Sequence, residues 1–434
     1  MSLVDVSYPA PPAPGYTLSR WLHNLARLCL PLVAVAPLLL PRGGLWTLGA
    51  LALLGLAGAG RDLLASQRPD WRLPLLLAVA ALAWWATGYW HGEGRRALPF
   101  AVVLLMAGLA AGARPLLAPW QATWWWGLGL TGIITGVWAL WQRGQLGVSR
   151  ADGLDPMHAI LYGNLSLLAG VCCLAGLAWA WSQPRRRPWL AWLLAGALGG
   201  LLASLLSGSR GGWVALPVAV WLLYRLWWRR WPVRRQWGLG LVAVGLLALV
   251  VALPQSGVQG RVAIAVAEVQ AYLAGDPRGS VGTRLEIYRG SAALIAERPL
   301  LGHGHQGYRD GMRQQVEEGK LIASVARHWH AHNDPLDAWV RRGLPGLLVV
   351  LGLYLVPLWA VMRALPGAHG GARSLALAGL LLPVMFFDFG LSYTFFAYPQ
   401  VLAAYLAWAL VLVPPRSPAT RSEGPHRGQT LKRP

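Results

Sequence analysis

The sequence predicts an all-α polytopic integral membrane protein with about 12 transmembrane helices and one long polar loop, and three observations carry that prediction. Apolar runs close to the ~20 residues that span a bilayer recur along the chain, and only helices or closed barrels satisfy the backbone there. Charged residues make up 13% of the 434 positions, mean hydropathy is +0.44 and 26 residues are Trp, a composition ill-suited to a soluble enzyme. Basic residues, for their part, cluster in the short connections between apolar runs.

The spans are read, in order, as Trp21–Leu40, Leu45–Gly60, Leu73–Trp90, Pro99–Ala113, Thr123–Trp141, Ile160–Trp181, Trp189–Leu206, Gly212–Trp228, Gly238–Pro254, Leu344–Met362, Ser374–Phe396 and Pro399–Val413. Leu45–Gly60, Pro99–Ala113 and Pro399–Val413 are short, and either thin the bilayer or re-enter it. The densest basic clusters, Arg185-Arg186-Arg187 and Arg229-Arg230 with Arg234-Arg235, fall after even-numbered spans, so that side is expected to be cytoplasmic with both termini inside. The turns His91–Arg96, Arg143–Ala159 and Ser207–Gly211 then share the opposite side with the long loop. The organisation expected is spans one to nine over 1–256, a loop over 257–343, spans ten to twelve over 344–413 and a basic cytoplasmic tail over 414–434.

The net charge of +21 raises nucleic acid as a partner, but its division into short clusters between apolar runs fits topology and argues against nucleic-acid binding. Cys29, Cys172 and Cys173 all lie in apolar runs and offer neither a disulfide framework nor metal spacing. Within the loop, Arg261–Leu273 and Thr283–Glu297 show helical apolar spacing, Pro299-Leu300-Leu301-Gly302 breaks the chain, and Tyr308–Glu318 follows as a further helix. Short helices lying on the membrane surface are expected here.

That loop holds five of the ten His and eleven of the 38 Lys and Arg, which points to chemistry. In His328-Trp329-His330-Ala331-His332-Asn333 an imidazole can act as a general base near neutral pH. The same three imidazoles could instead bind zinc, since His328 and His332 would share a helical face and His303 and His305 could complete the set. Arg210, in the tight turn Ser207-Gly208-Ser209-Arg210-Gly211, reads either as a snorkelling anchor or as an anion clamp beside backbone N–H groups. Arg284 and Arg289 belong to a helix that would supply a second guanidinium for a diphosphate; Arg284 is the stronger candidate. Asp388 lies within an apolar run, where a carboxylate either orients a basic partner or holds helices together.

These motifs together resemble the O-antigen ligase and polymerase superfamily, and within it the ligases. His332-Asn333, nine residues, then Gly343-Leu344-Pro345-Gly346 matches that family's loop-end pattern. Ser207-x-Ser209-Arg210 matches its Ser-x-Ser-Arg segment, and Arg284 with Pro299-Leu300-Leu301-Gly302-x-Gly304 matches the rest. The resemblance covers about residues 150–390. It implies a glycosyltransferase of the bacterial inner membrane with its active site facing the periplasm, moving O-antigen polysaccharide from undecaprenyl diphosphate to a sugar hydroxyl of lipid A–core. It further implies inversion at the anomeric carbon without metal, ATP or another cofactor. His332 would be the base and Arg210 and Arg284 would bind the diphosphate, with Arg289 as a further candidate and Ser207, Ser209, His330, Asn333 and Asp388 in support. A polymerase or a protein O-oligosaccharyltransferase of the same superfamily is the alternative, and a transporter with a ligand-binding loop a more distant one. The loop body carries no Arg-x10-Gly repeat of the kind polymerases show, and no internal repeat points to a transporter.

Overall fold

The computed structural model describes residues 17–64, 70–153, 157–209, 211–230, 232–234 and 258–413. Arg210, the predicted ninth span Gly238–Pro254 and the predicted tail 414–434 lie outside the described residues. Helices α1 (Thr17–Leu39), α2 (Gly43–Leu64), α3 (Arg72–Trp90) and α4 (Gly94–Ala110) lead into a short link containing α5 (Arg114–Leu117). Next come α6 (Gln121–Gly144), α7 (Ala159–Trp181), α8 (Arg186–Ser207) and α9 (Leu216–Leu226). The polar segment forms α10 (Val258–Leu273), α11 (Ser280–Glu297) and α12 (Gly304–Glu317), and α13 (Asp334–Ala364), α14 (Gly370–Ser392) and α15 (Pro399–Leu412) follow. No strand occurs among the described residues.

Among the described residues, eight stretches are long and apolar enough to cross a membrane; one of them, Gly94–Gly144, holds both α4 and α6. This is the architecture of an all-α polytopic membrane protein. Gly211–Leu226 and Pro399–Leu412 are shorter apolar helices. The predicted second span is no short segment: α2 runs from Gly43 to Leu64, with Arg61 and Asp62 paired at 2.7 Å in its last turn.

The bundle is built around α7, which packs against α6, α8 and α14 and buries Asn164, Ser166, Cys172 and Cys173 completely. Glycines make the close approach possible. A Cβ on Gly136 would come within 2.6 Å of the Gly199 Cα, and one on Gly132 would strike the Gly196 carbonyl. Without a hydrophobic force between helices in lipid, such small-residue contacts let backbones touch and supply dispersion energy.

The polar segment has a small core of its own, with Ile287, Leu294, Tyr308, Met312, Val325, Ala331 and Val340 all buried. The helical reading of Arg261–Leu273 agrees with α10, whose Ile264, Val266 and Leu273 stay exposed. By contrast, α12 starts at Gly304, four residues before the predicted start at Tyr308. Its first turn is capped from outside: Glu93, in the turn between α3 and α4, accepts from the His305 N–H at 2.7 Å and the Gln306 N–H at 2.8 Å. A carboxylate at an N-terminus satisfies orphan donors and the helix dipole together. The coulombic partner Arg342 lies 3.7 Å from the same carboxylate.

The largest departure is α13. The predicted tenth span begins at Leu344, whereas the helix starts at Asp334 and bends at Gly343, where φ is 63° and ψ is −159°. The leg before the bend belongs to the polar segment. In the bend, the Leu344 N–H donates to the carbonyls of Pro299 and Leu300 at 3.0 and 3.1 Å, and the His303 N–H donates to the Val340 carbonyl at 2.9 Å. The Pro299–Gly304 turn is thereby seated on the bend. The connections read from the basic residues as sharing one side do meet at one end of the bundle. His91 contacts the Leu301 carbonyl at 2.9 Å, and the Arg150 Nε donates to the Ser207 carbonyl at 2.8 Å.

Candidate functional site

At that end, the chain from Val325 to Asp337 sets the histidine cluster. Asn333 ends the extended approach and caps α13, its Oδ1 accepting from the Leu336 N–H at 2.9 Å. Such a cap fixes where the helix begins. His328 is extended, with φ −90° and ψ 131°, and His332 has φ 52°. The expected helical face shared by His328 and His332 is therefore not formed, because an N-cap at Asn333 and a left-handed His332 stop any helix running through the motif. The two rings meet nonetheless: His332 Nε2 and His328 Nδ1 are 2.9 Å apart.

Asp337, in the first turn of α13, locks this conformation. Its Oδ1 accepts from the Ala331 N–H at 2.9 Å and lies 3.2 Å from the Arg341 Nε. Arg341 also donates to the Trp329 carbonyl and stands over the Tyr308 and Trp329 rings at 5.2 and 5.8 Å. One turn of helix thus holds two peptide groups of the loop. Asp334 ties the same turn to the bundle by accepting from the Tyr354 hydroxyl at 2.8 Å and the Phe396 N–H at 2.9 Å. Asn333 approaches the Leu391 carbonyl with its Nδ2 at 3.4 Å, and the Tyr288 hydroxyl is shared between the carbonyls of Leu391, at 2.8 Å, and His332, at 3.2 Å.

His330 is 3% exposed, and its Nδ1 accepts from the His332 N–H at 3.1 Å. The His330 and His332 ring centroids are 4.2 Å apart, and Tyr393 lies 4.9 Å from the first and 5.3 Å from the second. His158, which caps α7, stacks on the same tyrosine at 5.9 Å. Burial, helped by His328 and Arg284, pushes the His332 imidazole down to about 3. Burial and the charge of its neighbours push His330 down to about 2. Both rings are therefore neutral at pH 7, and His332 retains a lone pair able to take a proton.

This has a consequence for stability. An unfolded imidazole titrates near 6.5 and binds protons that the folded rings refuse, so their contribution is complete above that pH and declines as the pH falls. Hydrogen exchange over residues 328–333, corrected for intrinsic rates, is expected to show more opening at pH 5 than at pH 7. Equal opening at the two would contradict the desolvated, neutral state of these rings.

Next to the cluster is an open cavity of about 570 Å³ lined by Arg278, Ser280, Thr283, Arg284, Arg327 and His328, among others. Arg278 is committed to Asp276, with two contacts of 2.7 Å. Arg284 is half-buried and has no hydrogen-bond or ion-pair partner among the described residues. Arg289 does not join the cavity; it pairs with Glu286 at 3.1 Å and donates to the Lys320 carbonyl.

Ser207 and Ser209 are buried and occupied structurally. Ser207 Oγ donates to the Ser204 carbonyl at 2.7 Å and accepts from the Ser209 N–H at 3.2 Å, while Ser209 Oγ donates to Asn164 Oδ1 at 2.8 Å. They pin the end of α8 and Ser209 to α7. Asp388 Oδ2 accepts from the Ala215 N–H at 3.0 Å, at the start of α9, which favours its helix-holding role over an arginine partner. His303, weighed as a metal ligand, contacts the Leu294 carbonyl at 2.7 Å instead. No group of three His, Cys, Asp or Glu side chains is placed to hold a metal ion among the described residues.

Sequence reasoning missed Asp337, Arg341, Tyr288, Tyr393, His158 and Arg327. Asp337 and Arg341 could have been found, since an i, i+4 pair directly after an Asn cap is a local signal. Tyr288, Tyr393 and His158 arrive from distant parts of the chain, and Arg327 adjoins His328 with no pattern to single it out.

The chain is similar to known proteins over the region that holds these motifs. Residues 195–351 match the family described as O-antigen ligase. An uncharacterized protein of Haemophilus influenzae is 27% identical over 270 residues, covering 61% of this chain and 66%, just under two thirds, of the relative. The family match takes in both the Ser-x-Ser-Arg turn and the whole histidine loop, and so supports the resemblance to the superfamily at the two ends of the candidate site.

Proposed function

We propose that this protein is an O-antigen ligase, a glycosyltransferase that moves a polysaccharide from undecaprenyl diphosphate to a sugar hydroxyl of lipid A–core on the periplasmic face of the inner membrane. The observation that carries the reading is the neutral His332, whose ring Nδ1 is buried, beside the guanidinium of Arg284, both without a hydrogen-bond partner among the described residues. A base and an anion clamp side by side are what this reaction needs. The acceptor hydroxyl gives its proton to His332 as its oxygen bonds the anomeric carbon. The bond from that carbon to the diphosphate breaks on the opposite face, and the electron pair leaves with the diphosphate. Arg284 and Arg210 stabilise the departing charge through bidentate donation. Ser207 and Ser209 act by fixing the turn before Arg210, and His330 and Asn333 by setting the backbone at His332. Arg289 takes no part in this scheme.

The test is reconstitution of the purified protein with lipid-linked O-antigen and lipid A–core. Consumption of the core acceptor with release of undecaprenyl diphosphate is the expected result. Growth of the lipid-linked glycan with no core consumed would make the protein a polymerase, and glycan on a polypeptide would make it a protein O-oligosaccharyltransferase. In the same assay Arg284→Lys keeps the charge but loses the planar fork, and kcat/KM is expected to fall about tenfold or more. Wild-type turnover in that variant would remove Arg284 from the clamp.

A further inference from the structure

We propose that His328 is a positioning residue for His332: its Nδ1 holds the proton of His332 on Nε2, which leaves Nδ1 of His332 as the basic atom, and stabilises the imidazolium formed when that atom is protonated. This rests on the reading of His332 as the base, and goes beyond it by assigning the tautomer and the atom.

Hydrogen-bond closure fixes the tautomer. A neutral imidazole carries one N–H and one lone pair. His332 Nε2 and His328 Nδ1 face each other at 2.9 Å, so one of them is the donor. If His328 donated, His332 would carry its proton on Nδ1, and that atom is buried with no acceptor among the described residues. An orphaned buried N–H is the rarer and costlier arrangement. If His332 donates from Nε2, its Nδ1 keeps the lone pair and with it the basic site of the ring, and His328 carries its own proton on Nε2. The neighbouring ring is consistent, since His330 Nδ1 accepts from the His332 N–H and therefore also has its proton on Nε2.

The backbone enforces the pairing. The left-handed φ of 52° at His332 brings its ring back onto His328, with centroids 4.8 Å apart and planes at 74°. The Asp337 bond to the Ala331 N–H and the Arg341 bond to the Trp329 carbonyl hold the chain between them. Burial, Arg327 and Arg284 all lower the proton affinity of His328, which keeps its Nδ1 lone pair available. In the reaction, the acceptor O–H bond breaks, its proton joins His332 Nδ1, and the Nε2–H of the resulting imidazolium stays bonded to His328 Nδ1. The proton leaves to water once product has gone. The role is the one a carboxylate plays beneath a catalytic histidine, filled here by a neutral ring.

His328 also lines the open cavity of about 570 Å³, which makes the test direct. Removing the ring extends a solvent-reached space into which free imidazole can diffuse. In proteoliposomes with donor and acceptor lipids, His328→Ala is expected to lower kcat about tenfold or more with KM within about twofold, and millimolar imidazole is expected to restore part of the loss. His328→Asn, whose amide oxygen replaces the Nδ1 acceptor, should stay within about fivefold of wild type. Unchanged kcat in His328→Ala, or a loss that neither imidazole nor Asn repairs, overturns the proposal. A second readout does not depend on turnover. In histidine-labelled protein, the ¹⁵N signals of His332, assigned by their loss in His332→Ala, should show the Nε2–H tautomer in wild type and a mixture in His328→Ala. Finding Nδ1–H in the wild type overturns the assignment even if the lipid substrates are not turned over. A silent wild type with the Nε2–H tautomer would instead retire the ligase reading and leave the pairing intact.

Discussion

His332→Ala is expected to leave the protein folded in the membrane and to reduce glycan transfer by about 10²-fold to 10⁴-fold, the range for loss of a general base. The side chain that is lost makes one described bond, to His328, while the loop's anchors are Asn333, Asp334, Asp337 and Arg341. Folding is therefore expected to survive. His332 has φ 52°, where Ala is mildly strained, and His332→Asn is the better-matched control because Asn tolerates the left-handed region. Both variants should insert and show wild-type thermal stability to within a few degrees, and neither should complete lipopolysaccharide in a ligase-null strain. Normal ladders in that strain would refute the assignment of His332 as the base. Loss of inserted protein in His332→Ala but not in His332→Asn would trace the phenotype to the backbone.

Much of this architecture was legible in the sequence because membrane spans announce themselves as apolar runs, and α1, α3, α6, α7 and α8 begin and end near the predicted limits. The candidate site was legible as a set of residues, but not in its geometry. Helical periodicity suggested that His328 and His332 share a face, yet an Asn cap and a left-handed residue bring them together in another way. Arg289 was legible only as a weaker candidate than Arg284, and its Glu286 partner at i−3 occupies it. Asp388 illustrates the limit more sharply: its described partner is a backbone N–H 173 residues earlier, and no local pattern encodes that contact. The start of α12 was misjudged for the same reason, because Glu93, more than 200 residues away, supplies its cap.

Gly343→Ala is expected to be the most damaging single change outside the histidines, costing about 3 kcal/mol or more, and the reason lies in two independent constraints. The backbone at Gly343, φ 63° and ψ −159°, falls in a region that is essentially glycine-only. In addition, a Cβ there would collide with the Leu300 carbonyl, which is fixed because it accepts from the Leu344 N–H. Neither constraint is relieved by rotating a side chain. The facing position is equally tight: Gly302 has φ 70°, and a Cβ on it would lie 2.6 Å from the Arg341 carbonyl carbon. Two glycines thus allow the Pro299–Gly304 turn to sit in the bend of α13, and the leg before that bend carries Asn333, Asp337 and Arg341. Straightening the bend would swing those anchors, and with them the His332 loop, relative to the bundle. The variant should lose thermal stability, and any fraction that inserts should be inactive even though no residue contacting substrate has changed. Gly352→Ala, in the same helix with open space at its Cβ, is the control and should be close to neutral. If Gly343→Ala proved as stable and as active as Gly352→Ala, the bend would have no part in holding the site.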